Sequence, residues 1–264
     1  MGRVRFDDRG AALIRTVQRL PALVDLSIYY YDWRGGELAI IRDNAGLPRC
    51  EELAELHSQS LTKLHVSMLG GPGDGSPLRL SGLPELRTCQ LCGGYGQPDT
   101  LLALHVDAAS FEGAPLLQSL SVLYDEGLKL DHDSLRHLTS LTSLVLKECG
   151  LESIPPDVAS LGATLVVLDL SSNCLLQIDD TAVATILHCS RLETLAVCKE
   201  RFKYWQEGDY TRDAWDQVEE HLGKQGYEPS QFDMDSWKAL MQLPITYSVR
   251  HGRHLEICVD NDEW

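Results

Sequence analysis

The side chains in this chain best suited to chemistry are a cysteine pair, two histidine pairs, a serine pair and a glycine run. Cys89 and Cys92 form a C-x-x-C, the spacing used in zinc sites and in thiol–disulfide exchange. Structural zinc needs four ligands, commonly two such pairs, and no second pair is present. A redox motif needs a helix opening at its first cysteine, and Gly93 to Pro98 (GGYGQP) does not start one. Cys89 also stands where alternation calls for a buried apolar residue, so it reads as core. His132 and His137 are five residues apart, on adjacent but not identical helix faces, and His251 and His254 flank a turn. Neither pair has a carboxylate placed by spacing as a third ligand. Ser171 and Ser172 lie near Asp169, but no histidine is placed by motif and G-x-S-x-G is absent. The glycine-rich run from Leu69 to Pro77 lacks the G-K-S/T of a phosphate cradle. We therefore expect no catalytic residue, metal site or cofactor, and a protein that is not an enzyme.

Bulk properties narrow the partners. The formal charge is −16, from 39 acidic against 23 basic residues. That argues against binding nucleic acid by itself, which needs clustered Lys and Arg, and against adsorption to anionic membrane. It suits a protein partner, a basic one included. No run of 18 apolar residues exists, so no membrane insertion is expected. The start, MGRVRFDDRG, lacks an apolar signal core, and Phe6 stands where myristoylation needs Ser or Thr. Eight cysteines in 264 residues are too sparse for a disulfide framework. They point to a reducing compartment inside the cell: cytoplasm, nucleus or cilium.

The elements that must position any site derive from one frame of apolar residues. Leu141, Leu144, Leu146, Cys149 and Leu151 recur as Leu165, Leu168, Leu170, Asn173 and Leu175. The frame begins again at Leu192, Leu195 and Val197, the three starts lying 24 and 27 residues apart. Alternation at Leu144 and Leu146 predicts a short strand with one buried face. Such a unit cannot bury its apolar side alone, so units must stack.

This L-x-x-L-x-L-x-x-N/C-x-L frame strongly resembles the leucine-rich repeat family. The resemblance covers residues 7–198 and is densest over 128–198. It implies an α/β leucine-rich-repeat solenoid, a horseshoe whose parallel sheet lines the concave side, with helices and turns on the convex side. It also implies that Asn173 and Cys149 bond backbone groups of neighbouring turns. ILHCSRLETLAV resembles the cysteine-containing subtype of F-box leucine-rich proteins, with Cys189 closing a convex helix.

Along the chain, residues 7–20 read as a helix and Leu23, Leu26 and Ile28 as a strand. The array thus begins inside a repeat. Either Val4–Phe6 is a degenerate first strand, or the chain is a piece of a longer product. Residues 29–48 interrupt the frame, with a turn at Gly35-Gly36 and a returning strand at Leu38–Ile41. Leu64 and Val66, then Cys89 and Leu91, restore it. Starts at Leu86, Leu101 and Leu117 are too closely spaced, so residues 69–116 are irregular. Residues 128–138 resume the pattern with Asp131 or Asp133 as a helix cap. Ile154-Pro155-Pro156 predicts an extended connection or single turn, and 178–189 a helix. We assign 1–198 to the repeat array and 199–264 to an α+β C-terminal cap. The cap is read as helices at Thr211–Gln225 and Asp235–Leu243, then strands Ile245–Arg250 and His254–Val259 joined at Gly252.

Function is then expected on the surface: a non-enzymatic module that holds a protein partner on the concave face. The residues between the frame leucines are Lys63, His65, Arg87, Gln90, His105, Asp107, Tyr124, Lys147, Glu148, Asp169 and Glu193. Tyr29, Tyr30 and Trp33 form a second candidate patch. Two alternatives stay open: the substrate-recognition part of an F-box-type ubiquitin-ligase receptor, implied by the cysteine subtype, or a structural subunit of a large assembly.

Overall fold

Strict alternation of buried and half-buried residues sets the strands. A computed structural model describes residues 20–28, 33–34, 37–38, 53–66, 76–93, 104–125, 127–173, 176–197 and 234–259. The chain divides into two units, Met1–Cys149 and Gly150–Trp264. The expected helices at 7–20 and Thr211–Gln225 lie outside the described residues.

The first unit carries strands β1 (Asp25–Ile28), β2 (Trp33–Arg34), β3 (Glu37–Leu38), β4 (Lys63–Val66), β5 (Thr88–Cys92), β6 (His105–Val106), β7 (Ser119–Leu123), β8 (Lys129–Leu130) and β9 (Ser143–Lys147). A parallel sheet runs β1, β4, β5, β7, β9. Its register aligns Leu26, Leu64, Cys89, Leu120 and Leu144 in one row and Ile28, Val66, Leu91, Val122 and Leu146 in the next. All ten are buried. Each new strand opens the same way. Two consecutive N–H groups donate to one carbonyl of the preceding coil: Thr62 and Lys63 to Val24, Arg87 and Thr88 to Thr62, Gln118 and Ser119 to Arg87, Thr142 and Ser143 to Gln118. β2 and β3 pair antiparallel, Trp33 with Leu38; the turn expected at Gly35-Gly36 lies outside the described residues.

The crowded stretch 86–122 resolves into two sheets. β6 is not in the main sheet; it pairs in parallel with β8. The main sheet steps from β5 straight to β7, which gives a long coil. The helix expected after Asp131 is also absent. Lys129–Leu130 is strand, and residues 132–137 are turns, closed by Ser134 N–H to Asp131 O and Arg136 N–H to Asp133 O. Asp133 sits at φ 62, which a helix cap does not adopt.

Strand exits repeat as well. Tyr124, Glu148 and Ser172 take left-handed backbone (φ 60, 53 and 57). The residue after each turns inward and bonds backbone of the preceding coil. The Asp125 carboxylate accepts from Leu104 N–H (2.9 Å), the Cys149 thiol donates to Val122 O (3.3 Å), and the Asn173 Oδ1 accepts from Leu151 N–H (3.1 Å). The Asn173 amide also donates to Leu170 O and Ser171 O. The bonds that the family resemblance implied for Cys149 and Asn173 are present.

In the second unit, Pro156–Leu161 is a 3₁₀ helix, longer than the extended connection or single turn expected there; Pro156 stands in its first turn, where a missing N–H leaves no helical bond unmade. Strand β10 (Val167–Asp169), helix α1 (Asp180–His188), strand β11 (Thr194–Val197), helix α2 (Met234–His251) and strand β12 (Glu256–Val259) come next. Asp179 caps α1, its carboxylate accepting from Ala182 N–H at 2.7 Å. The three strands are parallel, in the order β10, β11, β12. In neither unit do the described strands close into a barrel.

The C-terminal expectation needs correction. Ile245–Arg250 is not a strand; α2 runs through Pro244 to His251. The alternation of Ile245, Tyr247 and Val249 concealed a four-residue period. Leu240, Leu243 and Tyr247 face inward, whereas Met241, Ile245 and Val249 are 54%, 70% and 84% exposed. Proline removes one helical bond. Packing against α1 outweighs that loss. The Tyr247 hydroxyl donates to Cys189 O (2.6 Å) and His251 Nε2 bonds Leu187 O (2.9 Å), supplying partners for the open carbonyls at the end of α1. Gly252 at φ 65 stops α2. β12 then joins β11 in parallel, so no terminal hairpin forms.

Core and corner can each be tested by one substitution. Leu144→Ala, at a fully buried position, should lower stability by roughly 2–5 kcal/mol in urea unfolding. Burial pushes the Asp125 carboxyl above its ordinary range, although Leu104 and Gly127 N–H groups oppose it. A raised folded pKa means stability is lost as pH rises through it. Asp125→Asn should therefore melt higher than wild type at pH 7, with the gap closing in acid; an equal gap at both pH values would refute the assignment.

Candidate functional site

The register that buries the leucines also aligns the residues between them on the other face of the sheet. In the first unit one row is Asp25, Lys63, Thr88, Ser119 and Ser143, and the next is Ser27, His65, Gln90, Ser121 and Val145. A third, shorter row is Cys92, Leu123 and Lys147. Most of these are half-buried, shielded by neighbouring strands but not covered by another layer of described residues. The middle of the face is small and hydroxylic, the flanks longer and polar. In the second unit the corresponding rows are Val167, Thr194, Glu256 and Asp169, Ala196, Cys258.

The residues expected on the binding face divide three ways. Lys63, His65, Gln90 and Lys147 lie in the rows of the first unit, and Asp169 in those of the second. Arg87 and Glu193 sit one residue ahead of β5 and β11, exposed at the sheet's entry edge. Tyr124 and Glu148 are the left-handed residues at strand exits. His105 and Asp107 lie apart from the rows. His105 belongs to β6, its Nε2 2.7 Å from Asp131, and Asp107 is held by both guanidinium nitrogens of Arg79 at 2.6 and 2.7 Å. They tie adjacent coils together along the β6–β8 side. Tyr29 and Tyr30 lie outside the described residues, as does the side chain of Trp33.

Local electrostatics match these structural roles. Burial tends to raise the Asp107 carboxyl, but Arg79, the Ala109 N–H and the Ser110 hydroxyl outweigh it and hold the group below the usual range. The hydrogen bond from His105 lowers Asp131, with Lys129 adding to it. Asp169 accepts from Ser171 N–H at 2.9 Å, which accounts for its place beside the serine pair. Ser171 itself is buried. His251 is engaged with Leu187 while His254 is exposed, so that pair does not converge.

The cysteines separate by face. Three residues along a strand reverse direction, so Cys89 points into the core and Cys92 outward. Burial pushes Cys89 and Cys149 up to about 12 and Cys189 to about 11. These thiols are packing residues, not nucleophiles. One grouping is not evident from motif spacing. His65 Nε2 lies 3.8 Å from Cys92 Sγ, with the Gln90 amide 3.6 Å from the same sulfur. The repeat offset from Leu64 to Cys89 is the signal that could have found it, since it sets His65 beside Gln90.

No family model matches the chain. It is similar to volume-regulated anion channel subunit LRRC8E of Homo sapiens, 32% identical over 174 residues, which is 63% of this chain and 21% of that protein. The Mus musculus counterpart is 32% identical over 149 residues, 56% of this chain and 18% of that protein. The chain thus spans about a fifth of the length of these relatives. This distant similarity to a leucine-rich-repeat-containing protein supports placing the apolar frame in that family. No helix among the described residues is long and apolar enough to cross a membrane.

Native alkylation, read peptide by peptide by mass spectrometry, should modify Cys92 and Cys258 before Cys89, Cys149 and Cys189. Equal rates at Cys89 and Cys92 would contradict the assignment of faces.

Proposed function

We propose that the chain is a leucine-rich-repeat solenoid whose open sheet face, the concave side of a horseshoe, holds a protein partner. The carrying observation is the register: it lays out rows of half-buried polar side chains that no further layer of described residues covers. Extended surfaces of this kind are what stacked repeats use for binding. Lys63, His65, Arg87, Gln90, Tyr124, Lys147 and Glu148 line or border the face in the first unit. Asp169, Glu193 and Glu256 give the second unit's sheet an acidic face, which favours a basic partner segment. The role is non-enzymatic. We place it inside the cell, in the cytoplasm, on the strength of core thiols at Cys89, Cys149 and Cys189.

Two further readings each have one observation behind them. Membership of a larger assembly is favoured because both matched relatives are named as channel subunits. Substrate recognition in an F-box-type receptor is favoured by Cys189, buried at the end of α1 as the cysteine subtype requires.

Affinity purification from the native cell with wild type, Ser121→Arg and Glu256→Lys tests the first reading. Both variants should melt within about 0.5 kcal/mol of wild type, being off the core. Each should lose at least one protein that wild type retains. Identical retained sets across all three would overturn the proposal.

A further inference from the structure

We infer that the free edge of β12 is a docking site for an extended polypeptide segment of alternating apolar and basic residues, which joins the second unit's sheet as a further strand. β12 is the terminal strand of that sheet, paired with β11 on one side only. Glu256 N–H donates to Glu193 O at 2.8 Å, and the register gives the backbone groups of Glu256 and Cys258 to β11. The N–H and C=O groups of Ile257 and Val259 point to the other edge, and no described residue bonds them there. The apolar side of the strand is open as well. Leu195, with Leu168 on one side and Ile257 on the other, is fully buried, whereas Ile257, with a neighbour on one side only, is half-buried. An apolar side chain on an added strand completes that row.

Charge selects the segment. Glu256 is exposed on the opposite face of β12 from Ile257, and the strand is followed in sequence by Asp260, Asp262 and Glu263. A basic residue set beside Glu256 makes a cross-strand pair of opposite sign. Arg253 and His254 precede the strand and lie off its ladder. The whole chain carries −16, so a second copy is repelled at this edge while a basic segment is drawn to it. Main-chain bonds then supply the affinity and the alternate side chains the selectivity. This contact runs in the plane of the sheet, so it does not rest on the binding role proposed for the open face.

The probe is a short synthetic peptide of alternating Lys and Val, blocked at both ends, added to the untagged full chain. Amide hydrogen exchange is read residue by residue by NMR. In the free chain Ile257 and Val259 should exchange fast, and Glu256 and Cys258 slowly. The peptide should slow Ile257 and Val259 by roughly tenfold or more. Two control peptides should not: one of the same charge with proline at its central valine, and one with Glu in place of Lys. Ile257→Pro removes an N–H that bonds nothing among the described residues, so Glu256 should stay protected while peptide binding is lost. Slow exchange at Ile257 in the free chain, or no slowing by the Lys–Val peptide, overturns the inference. So does equal slowing by either control peptide, or slowing by a rise in protein concentration alone, which assigns the edge to a second copy.

Discussion

A short parallel strand cannot satisfy its own backbone, and that constraint governs this molecule. In an isolated coil the N–H and C=O groups of four or five residues would be left without partners, beside leucines with nothing to pack on. The neighbouring coil supplies both. The carbonyls of Val24, Thr62, Arg87 and Gln118 each receive two N–H groups from the next coil, while Leu26, Leu64, Cys89, Leu120 and Leu144 stack beneath them. Hydrogen bonding and apolar burial therefore share one register. A slip by one residue would expose every leucine.

The corners obey the same rule. Strands β7, β9 and β10 are each followed by a left-handed residue, at Tyr124, Glu148 and Ser172, spaced one repeat apart. That conformation costs about 1–2 kcal/mol for a residue with a side chain. It aims the next side chain at a backbone group of the preceding coil, and the bond made there offsets the strain. Carboxylate, thiol and amide all serve at this position. The amide is the most economical, since it both donates and accepts and carries no charge into the interior.

The outer face holds what the register leaves over. Outward residues answer to no packing demand, so their types are free to vary from row to row. The first unit's face carries hydroxyls, an imidazole and a thiol; the second unit's face carries carboxylates. A sheet holds such groups rigidly, and groups already held in place lose little further entropy in any contact they make.

Much of this was legible in the residues alone. The periodic leucines implied short strands with one buried side, and the family resemblance added their parallel stacking and the corner bonds of Asn173 and Cys149. Local pattern failed where two periods coincided. Ile245, Tyr247 and Val249 alternate as a strand would, yet α1 offers two carbonyls that only a helical Tyr247 and His251 can reach. It failed again at 101–106, where identical spacing fits either of two ladders and only the coil-to-coil pairing of β5 with β7 settles which. The sequence by itself determined the repeating coil and its apolar side, because periodicity is a local property. Tertiary structure decided which distant side chains meet, as with His65 and Cys92, because that depends on the length of every intervening turn.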